Sequence, residues 1–511
     1  MKNAKSVTRD DVAKLLLLAS ILLGGWFRFF PAFLAGFPVN DGGMFFVMMK
    51  DLQANHFLPP LFTSYNHLDI PFAYPPLTLY LGAALNSLLD LSLLDVLRWL
   101  PALVNTICIP ALYLLAKELL EDDLQAALSA LVFALTPHLM DWLSMGGGLT
   151  RSFGTLFMLL TALFAYRLFA RGGKNNIGWT ILFGGLTVLS HTESTVFAIA
   201  LPILFWLFKS RNRTGLVHGL WVALGVTALS GPWYGLVVSR YGIETLLSAL
   251  RTGGHTPLVV LLLFDIRTLT AEPFLDLLGV LGVLGVVTLT VRRRYLVPAL
   301  LVTIYLVETR SAHTVGNIAL AMGAGTFLAE VLLPALQNRV TSLLALTTPF
   351  LLGNAIYHGY VISLDHVSAA DRSAMEWVAQ NTPADSRFLV LTGEPTAMCD
   401  SVGEWFPALT DRHSLITVQG REWTMESELG EVLQRRIVIE ACLDGDLACL
   451  EQEVGYFGVP DYIYISANIS TNSCKELKNP LPARSLVLSL EGSPDYQIRY
   501  KYQDVVIFER K

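Results

Sequence analysis

YPPLTLYLGAALNSLLDLSLL (74–94) is apolar and long enough to cross a bilayer, so the side of the membrane on which every later segment lies depends on its reading. Positive charge in short connections decides the matter, because such loops stay on the cytoplasmic side. Lys2, Lys5, Arg9 and Lys14 stand at the start of the first apolar window, 12–33. Arg171 with Lys174, Lys209 with Arg211 and Arg213, and Arg292, Arg293 and Arg294 then fall at every second connection, with Arg339 in the last. Counting 74–94 as a crossing would invert all the later loops and expose the arginine triplet. The stretch is therefore read as a helix lying in the first outer loop, about 37–95.

Around that loop, windows at 12–33, 96–117, 124–143, 152–170, 177–191, 195–209, 216–234, 273–291, 295–309, 315–334 and 341–362 predict about eleven spans of a hydrocarbon core. An odd count with a cytoplasmic N-terminus puts residues 363–511 outside. The expected architecture is a polytopic α-helical membrane domain over 1–362 followed by an extracellular or periplasmic α/β domain. Composition agrees: of 511 residues 53% are hydrophobic and 15% charged, with a mean hydropathy of +0.51. A net charge of -6 leaves no basic excess for a phosphate backbone, which excludes nucleic acid as a partner. LLLLASILLGG runs on into WFRFFPAF without a small-residue cleavage site, so the first window reads as a retained span.

The tail alternates like a globular domain. Segments 373–380 and 426–441 read as helices, and RFLVL (387–391), DYIYI (461–465) and YQIRYKYQDVVIFER (496–510) as strands, the last folding back as a hairpin. Four of the five cysteines lie here, in a compartment that permits disulfides; Cys442 and Cys449 flank a turn-forming LDGDLA, and Cys399 with Cys474 are the remaining pair. LGVLGVLGVV (278–287) reads as close helix packing through glycine.

The first outer loop carries the most distinctive chemistry. Asp41 sits in NDGG just beyond the first span, followed by an amphipathic stretch from Met44 to Ala54. A carboxylate at a membrane surface suits a general base or a cation binder. The plainer account is that Asp41 caps a helix beginning at Gly42.

This order, an Asp after the first span and then a helix running to a proline pair in AYPPLTLYL (73–81), resembles the GT-C superfamily of integral membrane glycosyltransferases, in particular its protein O-mannosyltransferase and aminoarabinose transferase branch. MDWLSMGGGLTRSFGTLF (140–157) and ETRSAHTVGNIALAMGAG (308–325) are similar in place to the outer loop and outward Arg of that superfamily, and MEWVAQNTPADSRFLVL (375–391) resembles the opening of the oligosaccharyltransferase outer domain. The resemblance implies an inverting transferase that takes its sugar from a polyprenyl-phosphate donor in the membrane and passes it to a protein, lipid or glycan acceptor on the outer face. Asp41 then corresponds to the catalytic carboxylate. Three departures refine the placement. LTGEPTAMCDSVGEW (391–405) stands where oligosaccharyltransferases have WWDYG, the GGGLTRS loop has no acidic pair to bind a divalent metal, and Tyr74 replaces the Lys before the two prolines. The chain is therefore expected outside the oligosaccharyltransferases, with no metal or other cofactor.

Transfer from a polyprenyl phosphate needs a base on the acceptor hydroxyl and cations at the departing phosphate. Asp41 is the candidate base. Arg310 and Arg151, at outer ends of spans, and Tyr74 are the donor-phosphate candidates; snorkelling is the competing account of the arginines. Glu272, His67, Asp69 and Glu193 are acceptor-side candidates, against turn and capping roles for the same residues. A transporter or flippase, or a receptor tethered in the membrane, would also be polytopic; few mid-span charges and a long amphipathic loop favour the transferase.

The topology is checked by labelling intact cells. Thiol reagents or protease applied outside are expected to reach the tail, while cysteines placed at 292–294 stay protected; outside labelling at 292–294 reverses the assignment.

Overall fold

The computed structural model describes residues 8–251, 269–336, 339–425, 428–466 and 484–511. Ten helices lead from the N-terminus to the middle of the chain: α1 (Arg9–Ala35), α2 (Gly43–Ala54), α3 (Leu77–Leu89), α4 (Leu93–Leu120), α5 (Asp123–Leu135), α6 (Asp141–Ser144), α7 (Gly148–Arg171), α8 (Lys174–Val188), α9 (Thr192–Lys209) and α10 (Arg213–Tyr241). The stretch opened by Tyr74 becomes α3, whose 13 residues extend about 20 Å, short of a hydrocarbon core.

The protein is a multi-pass membrane protein, but eleven spans are not established. Every window is helical, yet seven described helices are long and apolar enough to cross, or eight if a bent pair counts as one. Helices Lys174–Val188, Leu277–Val291 and Leu296–Val307 have 15, 15 and 12 residues and fall short on length. The bent pair lies in the window at 124–143, where the axis turns by 76° between Asp123–Leu135 and Pro137–Ser144. Pro137 has no amide hydrogen and disfavours helical backbone at Thr136, so the helix stops there. Arg28, wholly buried in α1, covers the freed end: its guanidinium donates to Ala134 O at 3.0 Å and Phe133 O at 3.3 Å.

Helix contacts rely on small residues. A Cβ on Gly285 would sit 1.9 Å from Gly323 O, so helices Leu277–Val291 and Ala312–Phe327 meet backbone to backbone. Basic and acidic side chains gather at the opposite end of the bundle from Asp41. There Arg9 pairs with Asp122 at 2.7 Å, Arg167 with Glu118 at 2.8 Å and Arg294 with Glu330 at 2.7 Å.

The C-terminal part is α/β. In the first loop Phe62–Thr63 (β1) pairs antiparallel with Ile70–Pro71 (β2). The C-terminal sheet comprises β3 (Arg387–Leu391), β4 (His413–Ser414), β5 (Tyr462–Ser466), β6 (Tyr496–Tyr502) and β7 (Val505–Arg510), in the order β4-β3-β5-β7-β6. The expected terminal hairpin forms, antiparallel, with a register shift between Ile498 and Tyr500. Alternation along the strands divides the core. Phe388, Val390, Tyr462, Tyr464, Val505 and Ile507 face helices Ala369–Asn381 and Ser401–Thr410, and join a single apolar cluster with Phe37, Met44, Phe45 and Leu79 of the first loop. Leu389, Leu391, Ile463, Ile465 and Phe508 pack on the other face against Ile439 and Leu450. The C-terminal domain and the first loop therefore share one core.

Cys442 and Cys449 form a disulfide. Cys399 is disulfide-bonded too, and Cys474, its expected partner, lies outside the described residues. Replacing Cys442 and Cys449 together by Ser is expected to destabilise the C-terminal domain by about 2–3 kcal/mol. A denaturant midpoint of the full-length protein that does not move would contradict this.

Candidate active site

α1 delivers the chain to NDGG, and α7 leaves from beside it. Gly42, at the N-cap of α2, has φ 124°, a backbone open to glycine. Asp41 does not cap this helix. Its Oδ1 accepts the Gly147 amide at 2.8 Å and its Oδ2 accepts Nη2 of Arg151 at 2.8 Å, both across from the start of α7. The capping account fails because the α2 amides are met by another residue: Oε1 of Glu404 accepts Gly42 N at 2.9 Å and Gly43 N at 3.1 Å.

The Asp41–Arg151 pair is largely buried, with the side chains 8% and 23% exposed. Arg151 also lies 5.0 Å from the Trp142 ring, a cation–π contact that fixes the guanidinium plane. Beside it, the Tyr74 hydroxyl and Thr150 Oγ1 are 3.2 Å apart, and the Tyr74 ring meets Phe45 and, from the C-terminal domain, Trp423. Pro76 starts α3, and Leu77 N donates to Leu189 O at 2.9 Å, tying the proline segment to the end of α8. Arg310 Nε lies 3.2 Å from Glu193 Oε1, which sits in the first turn of α9.

These groups form one electrostatic neighbourhood. Burial raises the Tyr74 phenol above its ordinary pKa, while the charges of Arg151, Glu193 and Arg310 all act on it. Arg310 also acts on Glu422, whose carboxyl burial pushes upward. Burial first, and the Asp41 carboxylate second, push Glu404 up to about 8.

Of the residues singled out in the sequence, Asp41, Arg151, Tyr74, Glu193 and Arg310 are brought together. The other acceptor-side candidates are not. Glu272 is buried, with Oε2 accepting the Leu278 amide at 2.8 Å and Thr270 Oγ1 at 2.8 Å, and Oε1 accepting Asn354 Nδ2 at 3.0 Å. Its carboxylate anchors the start of helix Leu277–Val291, a capping role away from the Asp41 and Arg151 pair among the described residues. His67 is exposed and pairs with Asp411 at 3.1 Å, and Asp69 is exposed in a left-handed turn. His191 caps α9, taking the Ser194 amide at 3.4 Å on Nδ1. Among the described residues no group of three or more His, Cys, Asp or Glu side chains is disposed to hold a metal ion.

Sequence reasoning missed Glu404 and Trp405, whose partners lie more than 350 residues earlier, and the close pair His358–Asp141, which joins the helix Val340–Ser363 to α6. No local pattern signals contacts at that separation.

The sequence model of the dolichyl-phosphate-mannose-protein mannosyltransferase family matches residues 73–233, less than half of the chain but including Tyr74, Arg151 and Glu193. ArnT from Cupriavidus metallidurans, solved with undecaprenyl phosphate, superposes with a TM-score of 0.56 at 13% identity, covering 98% of both chains. The chain has the GT-C fold. Archaeal oligosaccharyltransferase AglB from Archaeoglobus fulgidus, solved with an inhibitory peptide and a dolichol-phosphate, gives 0.54 at 14% identity over 89% of this chain and 69% of AglB. Arabinofuranosyltransferase AftD from Mycobacteria gives 0.56 at 16%, with 99% of this chain spanning 40% of AftD. Curated proteins give no match by sequence.

Gly147 lies hard against the Asp41 carboxylate, since a Cβ there would lie 2.4 Å from Asp41 Oδ2. Gly147→Ala is expected to displace the carboxylate from Arg151 at a cost of about 1–3 kcal/mol, read as a lowered melting temperature in detergent. An unchanged melting temperature would show that the turn yields freely.

Proposed function

We propose that the protein transfers a sugar from a polyprenyl-phosphate donor to an acceptor hydroxyl at the outer face of the membrane. The observation that carries this reading is the convergence of Asp41, Arg151, Tyr74, Glu193 and Arg310, from four separated stretches of sequence, at one end of a GT-C fold. Asp41 takes the proton of the acceptor hydroxyl as its oxygen bonds to the anomeric carbon, and the bond from that carbon to the donor phosphate oxygen breaks, with inversion. Negative charge then grows on the departing phosphate, where the Arg151 and Arg310 guanidinium groups present planar, permanently charged donors. Neutralisation by arginine needs no metal. Arg151 also steadies the base, since its Nη2 lies 2.8 Å from Asp41 Oδ2 and fixes the direction in which the carboxylate points. Glu193, held by Arg310, orients that arginine toward the phosphate.

The test is transfer of radiolabelled sugar from polyprenyl phosphate by the purified protein. Asp41→Asn retains an oxygen for the Gly147 amide but cannot take a proton, and is expected to lower the rate about 100-fold or more. Arg310→Ala is expected to raise KM for the donor. Normal transfer by Asp41→Asn would refute the base, whereas lipid movement across vesicles without any transfer would favour a flippase.

A further inference from the structure

We infer that Glu404, on the outer-domain helix Ser401–Thr410, is a positioning residue that holds the Asp41 carboxylate in its reactive place; the inference rests on the role of Asp41 as base proposed above. The first amides of a helix have no partner within it, and where water is excluded they need an acceptor. Asp41 is the nearest acidic side chain in sequence, and an Asp so placed ordinarily turns back on its own helix. Here Glu404 takes both α2 amides on a single oxygen, Gly42 N at 2.9 Å and Gly43 N at 3.1 Å. That leaves Asp41 free to face Gly147 and Arg151.

The outer domain grips the same turn at further points. Trp405 Nε1 donates to Asn40 O at 2.9 Å, so with Glu404 on Gly42 N the backbone on either side of Asp41 is tied to one helix; Asn40 Nδ2 donates to Met398 O at 3.1 Å just before that helix, and farther along the first loop Tyr65 Oη donates to Glu404 O at 2.7 Å. There is no slack, because a Cβ on Gly43 would lie 2.8 Å from Glu404 O. The helix is itself anchored: Asp400 accepts the Gly403 amide at 2.8 Å and pairs closely with the buried Arg436. Burial and the nearby Asp41 carboxylate favour the protonated form of Glu404, which still accepts both amides through its carbonyl oxygen. An amide side chain does the same.

Full-length variants are assayed in detergent with radiolabelled polyprenyl-phosphate sugar, alongside amide exchange at Gly42 and Gly43. Glu404→Ala is expected to lower kcat at least about 10-fold with donor KM unchanged, and to speed exchange at both amides, while Glu404→Gln restores both. In Asp41→Asn, adding Glu404→Ala is expected to cost nothing more, because the two act through one group. Multiplied losses, a Gln variant as impaired as Ala, or an Ala variant with normal kcat overturns the inference while leaving the Asp41 reading intact. Normal transfer by Asp41→Asn overturns that reading and this inference with it, whereas the exchange data then still report the Glu404 contact. If Glu404→Ala does not fold, Trp405→Phe, which removes only the indole donor to Asn40 O, replaces it: lowered kcat at constant donor KM supports the inference and unchanged kcat overturns it.

Discussion

A helix that begins beneath a protein domain must have its leading amides answered, and the way α2 meets this demand joins the first loop to the C-terminal domain. Its acceptor comes from Glu404, more than 350 residues along the chain, so the first loop and the C-terminal domain form one unit. The shared apolar cluster, with Phe37 and Phe46 against Trp405, excludes the water that would otherwise satisfy those amides. Asp41 is thereby released to make a largely buried ion pair with Arg151, whose stability depends on both partners being present.

The membrane body meets the same demand in apolar surroundings. Where Pro137 ends α5, the carbonyls of Phe133 and Ala134 lose their helical partners, and Arg28 supplies donors from α1. At Gly285 and Gly323 the helices approach so closely that packing replaces side-chain contact. Charges unsuited to lipid collect at the end away from Asp41, where Arg9, Arg167 and Arg294 find carboxylates. α1 and α7 each run between that charged end and the site, so a rigid bundle fixes the distance from Asp41 to Arg151.

Acidic residues near helix starts divide into two groups that look alike in a sequence. Glu272 stands two residues after Thr270 and precedes a helix, and its carboxylate is taken up by the amides of Leu278 and Gly279. Asp41 precedes its helix even more closely, yet faces elsewhere because a distant residue has taken the capping role. Glu193 lies in the first turn of α9 while His191 caps it, which leaves the Glu193 carboxylate for Arg310.

Solvent preference was legible in the sequence by itself: the apolar windows are helices, the alternating segments 387–391, 461–465 and 496–510 are strands, and Cys442 with Cys449 form a disulfide, because each depends on hydropathy period or near neighbours. Asp41, Arg151 and Arg310 were legible as candidates because charge next to an apolar span is costly and therefore conspicuous. The number of spans was not, since a helix of 12 or 15 residues and one bent by 76° have the same apolar signal as a straight crossing. Nor was it legible which carboxylate is free for chemistry. That depends on which acceptor reaches a buried amide first, and only tertiary packing brings Glu404 and Trp405 to NDGG.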